Sequence, residues 1–288
     1  MTLHQPERFL PQGADLTHPS VARVYDWYLG GTNNWAIDRE FGKRVCERVP
    51  LIKDIARANR QFLFRAVRHL MAMGVRQFID IGAGLPTMRP THEVADEVEP
   101  GVSKVIYVDH EPVAVAESQV LLQSKGDPLR HAALNGDLRA PDRLWAQIED
   151  LGIIDFTEPV ALLLIAVLHV EQTDEGGRDL GQEAVARYRA LLPSGSYLVI
   201  SHISDEDVPA DMVAQLVELK AMYDKSSSRV IWRSRQQVRE LFGDFELIEP
   251  GLQWTPDWHP EDADPQAEPI SFATPAHSVI RAAAARKP

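Results

Sequence analysis

The sequence predicts an α/β fold in which a mostly parallel β-sheet carries helices on both faces and is preceded by a helical cap. Short apolar runs alternate with helical stretches through the middle of the chain. Such near-continuous apolar strands are typical of a parallel sheet that is buried on both faces. Residues 19–73, by contrast, show only the i, i+3, i+4 apolar spacing of amphipathic helices.

The chain therefore divides into three predicted parts: a flexible arm at 1–18, a helical cap or lid at 19–73 and a sheet domain at 74–288. In the cap, the first helical stretch ends on the paired glycines Gly30 and Gly31, and the last one ends at Gly74. Glycine just past a helix is a common helix stop.

The sheet domain begins with five predicted strands, at 76–82, 104–110, 131–137, 160–166 and 196–201. Helices are predicted between and after them, near 91–98, 112–124, 141–149, 178–192 and 207–224, and at 235–243. Two late apolar runs, 245–251 and 277–286, flank a proline-rich acidic loop at 252–276 and predict a hairpin-like end to the sheet.

Composition restricts the partners. The chain has 42 acidic and 30 basic residues and a net charge of −12, which repels phosphate backbones, so no nucleic-acid partner is expected. Cys46 is the sole cysteine and suits a reducing compartment. The longest apolar run, 159–170, is too short to cross a bilayer. We expect a cytoplasmic protein without a membrane partner, and no pattern indicates its oligomeric state.

The candidate binding residues follow the first four strands, because ligands of open parallel sheets bind outside the strands' carboxyl ends. They are Asp80, Gly82, Ala83, Gly84, Asp109, His110, Asp137, Leu138, Ala166 and His169.

Each residue type in this set has a chemical role available. The glycines allow close approach of a ligand and free N–H groups at the N-terminus of the next helix to bind an anionic group. Asp109 is placed to accept hydrogen bonds from a ribose diol, and Asp137 from the exocyclic amine of adenine. Asp80 is unfavourable beside a pyrophosphate but suits a ligand with an ammonium group. With Pro86 where a third glycine would complete a dinucleotide fingerprint, the pattern favours S-adenosylmethionine over NAD. A simple tight turn and aspartate helix caps remain alternatives.

Several stretches resemble class I S-adenosylmethionine-dependent methyltransferases, and more narrowly an actinobacterial S-adenosyl methyltransferase family. They are "ARVYDWYLGGTNNWAIDRE" (22–40), "FIDIGAGLPT" (78–87), "HEVA" (92–95), "VIYVDHEPVAVA" (105–116), "GDLRAPD" (136–142), "VALLLIAVLHV" (160–170), "LPSGSYLVISH" (192–202) and "RSRQQVRELFGDFELIEPG" (233–251). The resemblance implies a Rossmann-like, seven-stranded sheet with an antiparallel last strand, and cofactor contacts at the strand ends named above. The family carries an asparagine just before "HEVA"; Pro90 here removes a side-chain contact or helix cap.

Two histidines are candidates for a general base. His169 lies in a stretch similar to the "LHDW" segment of small-molecule O-methyltransferases, where histidine is the base, and Glu171 or Asp174 is placed to orient it. In other class I enzymes a histidine here only lines the cofactor pocket. His202 is the second candidate.

The stretch at 22–40 predicts a lid over the cofactor, with Tyr25 and Asp38 reaching the cofactor's polar groups. Packing of its aromatic side chains between helices is the alternative. Trp254 and Trp258 are candidates for the wall of the acceptor pocket.

The leading functional hypothesis is an S-adenosylmethionine-dependent methyltransferase that releases S-adenosylhomocysteine and acts on a small molecule in secondary metabolism. A catalytically silent S-adenosylmethionine-binding sensor is the alternative, and a nucleotide-dependent oxidoreductase ranks third. No metal is expected: "HEVAD" (92–96) lacks the second histidine of a zinc-protease helix, and "SHISDED" (201–207) fits a strand exit better than a magnesium site.

Overall fold

The computed structural model describes residues 11–174, 176–226 and 228–288, which build one β-sheet flanked by helices. The helices are α1 Val21–Tyr28, α2 Ala36–Arg48, α3 Ile52–Ala72, α4 Thr91–Val98, α5 Pro112–Lys125, α6 Pro141–Asp150, α7 Gly181–Leu191, α8 Ala210–Tyr223 and α9 Arg235–Leu241. The strands are β1 Gln77–Ile81, β2 Lys104–Asp109, β3 His131–Asn135, β4 Ala161–Ile165, β5 Tyr197–Ile203, β6 Glu246–Leu247, β7 Gln253–Trp254 and β8 Ile280–Arg286. Residues 1–10 of the predicted arm lie outside the described part of the chain.

The sheet has the strand order β3-β2-β1-β4-β5-β8-β6, with β7 paired to β8 off this path. Strands β1 to β5 are parallel, and β8 is antiparallel to β5. The predicted fold, mostly parallel with an antiparallel last strand, is confirmed. The predicted strand at 245–251 shortens to the two residues of β6, which pair with β8 as the hairpin-like end requires. Within the described residues there are eight strands rather than seven, because the two-residue β7 forms in the predicted loop.

Both faces of the sheet are buried, which explains why the strands read as continuous apolar runs. Alternate residues of β1 point to opposite layers: Ile79 and Ile81 pack in one apolar cluster with α6, α7 and α9. Phe78 packs in the other cluster, together with residues of α3 between Phe62 and Met71. The second half of α3 is thus part of the sheet's cover, although the predicted cap contained all of this helix.

The cap consists of α1, α2 and the first half of α3, which form a third apolar cluster with α8 and with Ile203 and Ile280 at the ends of β5 and β8. The cap thereby lies over the carboxyl ends of the strands. Of the helices in the described residues, none combines the length and apolarity needed to cross a membrane.

A buried ion-pair network joins the cap to the sheet. The fully buried guanidinium of Arg23 donates to Asp38 (2.9 Å) and to Glu111 (3.1 Å) in the loop after β2. Asp38 also accepts from the backbone N–H groups of Ser20 (3.0 Å) and Trp35 (2.9 Å), at the starts of α1 and α2. One salt-bridged group therefore sets the relative positions of α1, α2 and β2.

A second polar network ties the cap to the loop that follows β1. The buried Asp26 of α1 accepts from the amide of Asn34 (2.6 Å) and from the hydroxyl of Thr87. Gly31 is required beside it, because a Cβ there would lie 2.0 Å from an Asp26 oxygen. The glycine pair after α1 is therefore more than a helix stop: the second glycine makes room for the contact with the β1 loop.

We expect Gly31→Ala to lower the free energy of unfolding by about 1–3 kcal/mol, because the added methyl group displaces the Asp26 carboxylate from Asn34 and Thr87. Gly30→Asn is the matched control: Gly30 has φ +82° and open space around it, and asparagine tolerates that conformation. Urea unfolding of both variants measures the difference. Equal losses would show that Gly31 is not sterically constrained by Asp26.

Candidate active site

A cavity of about 770 Å³ lies between the cap and the carboxyl ends of the strands. Most predicted site residues line it: Tyr25, Gly82, Ala83, Gly84, Asp109, His110, Asp137, Leu138, Ala166 and His169. Asp38 and Asp80 lie outside this lining. The expectation that residues after successive strands converge is therefore met at the edge where the strand order reverses between β1 and β4.

The glycine loop after β1 is held tightly against β2. Gly82 and Gly84 have φ of +73° and +67°, and a Cβ on Gly82 would come within 2.6 Å of Val167. The N–H groups of Gly82 and Ala83 donate to the carbonyl of Val108 (2.8 and 3.1 Å), and that of Gly84 donates to Asp109 (2.8 Å). The N–H groups of the glycine loop itself are therefore not available to an anionic ligand, while the glycines leave the backbone open to close approach.

Asp109 and Asp137 both face the cavity, and each also has a partner in the protein. Asp109 accepts from the backbone N–H groups of Gly84 and Glu111 (2.8 and 2.9 Å). Asp137 forms an ion pair with Arg139 (2.7 Å), and this hydrogen bond holds the pKa of its carboxyl below the usual range. Neither aspartate is the residue that caps the following helix, so the cap alternative does not describe them.

Asp80 lies in β1 and is almost completely buried; it accepts a hydrogen bond from the hydroxyl of Thr91 (2.9 Å). Burial raises the pKa of its carboxyl to about 6, against the opposing effects of Arg60 and of the Thr91 hydrogen bond. Asp80 does not line the cavity, and the cofactor contact predicted for it stays a prediction. Pro90 stands at the start of α4 without a side-chain cap, as its sequence position implied.

His169 lines the cavity, and its Nδ1 is buried without a hydrogen-bond partner among the described residues. Burial, and secondarily the charge of Arg233, lowers its pKa to about 4, so the imidazole is neutral near pH 7. Asp174 does not orient it, because that carboxylate accepts from Gly176 and Arg178 (2.9 Å each). No hydrogen bond joins Glu171 to His169 in the described part of the chain.

His202, the second candidate base, is fully buried and lies outside the cavity lining, which does not favour this role. Its Nδ1 contacts the Ile203 carbonyl at 2.7 Å, and its Nε2 lies 2.6 Å from Arg233 Nη1. Burial drives the His202 pKa well below its usual value, with further lowering from His169 and Arg233. The neutral ring therefore donates to Ile203 and accepts from Arg233.

Arg233 and Asp179 are functional neighbours that sequence reasoning missed. Besides His202, the buried Arg233 donates to the Leu168 carbonyl (2.7 Å) and to Asp179 (2.8 Å). These contacts fix both ends of the loop that carries His169. Arg233 opens the last stretch of the family resemblance, which was the available signal, but no spacing rule pairs it with residues so far away in the chain.

The lid residues only partly fulfil their predicted role. The ring of Tyr25 lines the cavity, but its hydroxyl donates to Ala56 (3.0 Å) and accepts from Asn59 (3.0 Å) in α3. Asp38 orders the cap through Arg23 and does not face the cavity.

The two predicted wall tryptophans do not line the cavity either. Trp258 packs edge-on against Phe62 at 5.2 Å, and Trp254 lies under Arg281 at 3.9 Å. Both therefore pack in and around the C-terminal loop.

One group of side chains in the described residues could hold a metal ion: ligand atoms of His69, His259 and Asp262 lie within 4.8 Å of one another. They are already hydrogen-bonded, His69 to Asp262 (2.9 Å) and His259 to Glu261 (2.6 Å) and to the Glu249 carbonyl (2.7 Å). None of the three lines the cavity.

The strand order, the antiparallel β8 between β5 and β6, and the glycine loop at the cavity together define a class I methyltransferase. More narrowly, the chain belongs to the S-adenosyl methyltransferase family, whose profile matches residues 8–288. The enzyme is thus a methyltransferase with S-adenosylmethionine as its cofactor. Family membership favours this activity over the silent sensor and the oxidoreductase.

Two crystal structures share the whole fold. A Thermobifida fusca protein, provisionally designated a methyltransferase, is 33% identical over 97% of this chain and 98% of its own, with a TM-score of 0.81. A DUF574 family protein of Streptomyces avermitilis is 32% identical over 94% of this chain and 98% of its own, with a TM-score of 0.82. An O-methyltransferase family protein of Burkholderia thailandensis, 12% identical over 86% and 70%, shares the fold alone (TM-score 0.51). No curated protein matches the chain.

Arg233→Met should lower the free energy of unfolding by about 2–4 kcal/mol, because it leaves the Leu168 carbonyl, His202 and Asp179 without their donor. Arg235→Met is the control, since Arg235 lies two residues away and is exposed. Denaturant unfolding followed by tryptophan fluorescence measures both variants. Matching stabilities would contradict the role assigned to Arg233.

Proposed function

We propose that this enzyme transfers a methyl group by in-line displacement to a small-molecule acceptor bound in the cavity beneath the cap. The observation that carries the proposal is that one cavity is lined by polar groups at the strand ends, here called its polar end, and by apolar side chains of the cap and α8, here called its apolar end. The cavity volume of about 770 Å³ is typical of small-molecule sites. The acidic net charge and the single cysteine agree with a cytoplasmic enzyme that does not act on nucleic acid.

The polar end fits S-adenosylmethionine. The Gly82–Gly84 loop has no side chain between ligand and backbone, and a Cβ on Gly82 would collide with Val167. Asp109 retains acceptor capacity for ribose hydroxyls, since each carboxylate oxygen can accept more than one hydrogen bond. Asp137, His110, Leu138 and Ala166 complete the proposed cofactor contacts. When bound, the cofactor supplies a methyl group that its sulfonium has already activated.

The apolar end provides room for the acceptor. Its wall consists of side chains from the cap and α8: Tyr28, Ile52, Ile55, Leu219 and Tyr223. The buried hydroxyls of Tyr28 and Tyr223 interact with each other. Such a chamber orients the acceptor and excludes water, the main requirements for a displacement of this kind.

For a hydroxyl acceptor, His169 is the proposed general base. It lines the same cavity, and its lowered pKa keeps it in the neutral form that takes up a proton. Because Nδ1 has no orienting acceptor, packing and the Arg233 contacts of its loop hold the ring in place.

We expect Asp109→Ala to weaken S-adenosylhomocysteine binding about 10- to 100-fold, because two hydrogen bonds from the ribose hydroxyls to the carboxylate are lost. Isothermal titration calorimetry measures the affinity, and NAD should not compete. Asp142→Ala is the control, because Asp142 is an exposed aspartate outside the cavity lining. Wild-type affinity in Asp109→Ala would place the ribose elsewhere.

His169→Gln should also change the pH dependence of stability. With a folded pKa of about 4 and an ordinary unfolded value of about 6.5, the unfolded state binds more protons between these values. Stability contributed by the neutral ring is therefore complete above pH 6.5 and falls as pH drops towards 4. Urea titrations from pH 4 to 7 should show a slope up to one proton smaller in the variant.

With a hydroxyl acceptor in hand, His169→Gln should also reduce kcat about 10²- to 10⁴-fold. Unchanged turnover would exclude the base role, whereas an unchanged slope would exclude the neutral buried ring.

A further inference from the structure

Arg60, in the first half of α3, has a buried charge at the cavity wall that the protein leaves without an anionic partner. Its side chain lines the cavity together with the glycine loop, yet the residue is only 9% exposed. We infer that Arg60 binds the carboxylate at the amino-acid end of S-adenosylmethionine. This inference rests on the cavity proposed above as the methyl-transfer site.

The partners of Arg60 do not satisfy its guanidinium. Its Nη2 donates to the Arg89 carbonyl at 3.3 Å, and its Nε is buried with no hydrogen-bond partner in the described residues. No carboxylate lies within ion-pair distance of it in residues 11–174, 176–226 and 228–288. Burying a cation without a counter-charge is costly, so the site is complete only when an anion enters it.

The other arginines that line the cavity are either neutralised by a carboxylate or exposed to solvent. Arg23 is paired with Asp38 and Glu111, and Arg139 with Asp137. Arg229, which also lines the cavity, is exposed to solvent. Arg60 is therefore the buried guanidinium whose charge is available to a ligand.

The chemistry of the neighbourhood favours a carboxylate as the anion. The N–H groups of the glycine loop are bonded to β2, so the backbone does not supply the anion site. A guanidinium binds a carboxylate through two parallel hydrogen bonds. The charge of Arg60 also lowers the pKa of Asp80 in β1, but the two side chains form no ion pair and Asp80 does not line the cavity. Phe64 lies under the guanidinium at 5.5 Å and limits its movement.

The test compares two ligands that differ in the amino-acid end. S-adenosylhomocysteine carries the carboxylate, whereas 5′-methylthioadenosine lacks the whole amino-acid part. Arg60→Met should weaken S-adenosylhomocysteine binding about 10- to 100-fold and leave 5′-methylthioadenosine binding within about twofold of wild type. Arg60→Lys should recover part of the lost affinity, since lysine restores the positive charge but not the two parallel hydrogen bonds of a guanidinium.

Arg57→Met is the matched control, because Arg57 precedes Arg60 by one turn of α3, pairs with Asp54 and Glu268 and does not line the cavity. Isothermal titration calorimetry gives the affinities, and circular dichroism checks folding. Equal losses for both ligands in Arg60→Met would reduce Arg60 to a residue that maintains cavity shape, and no loss for either would overturn the inference. A folded wild-type protein that binds neither ligand would instead overturn the proposed site itself.

Discussion

The buried pairing of Arg23 with Asp38 and Glu111 is the interaction on which the rest of the structure depends. It sets the cap over the carboxyl ends of the strands, and the cavity exists only because the cap is held there. A buried ion pair adds little net stability compared with apolar packing, since desolvation offsets its attraction. Its contribution is to geometry, because hydrogen-bonded ion pairs are directional and apolar contacts are not. A guanidinium between two carboxylates therefore fixes α1, α2 and the β2 loop in one arrangement.

The same cap also reaches the glycine loop through Asp26 and Thr87. Two independent polar contacts thus span the cavity, one to the loop after β2 and one to the loop after β1. The most family-specific stretch of the sequence, residues 22–40, supplies Arg23, Asp26, Asn34 and Asp38 to them. That stretch is therefore needed to assemble the cavity. Of the two residues in it that were predicted to contact the cofactor, Tyr25 lines the cavity and Asp38 does not.

The layout of the fold was readable from the sequence because it depends on local patterns. Hydrophobic periodicity and helix-breaking residues predicted α4 and β2 almost to the residue. The parallel arrangement of the strands predicted that Asp109, Asp137 and His169 would lie at one edge of the sheet. Side-chain partners were not readable, because they join residues distant in the chain. Asp38, Asp80 and His202 all have suitable chemistry, yet Arg23, Thr91 and Arg233 occupy them. Arg60 went unnoticed for the same reason: a helix pattern does not show which cation lacks a counter-charge.

The anchoring of the glycine loop on β2 has a consequence for binding energetics. With its N–H groups bonded to Val108 and Asp109, the loop has little conformational freedom left to lose when a ligand arrives. Most of the conformational entropy lost on binding is then lost by the ligand, whose amino-acid chain has several rotatable bonds. Selectivity among adenosyl compounds should accordingly depend on how well that chain is held at its far end, while the wall beneath it acts as a rigid template.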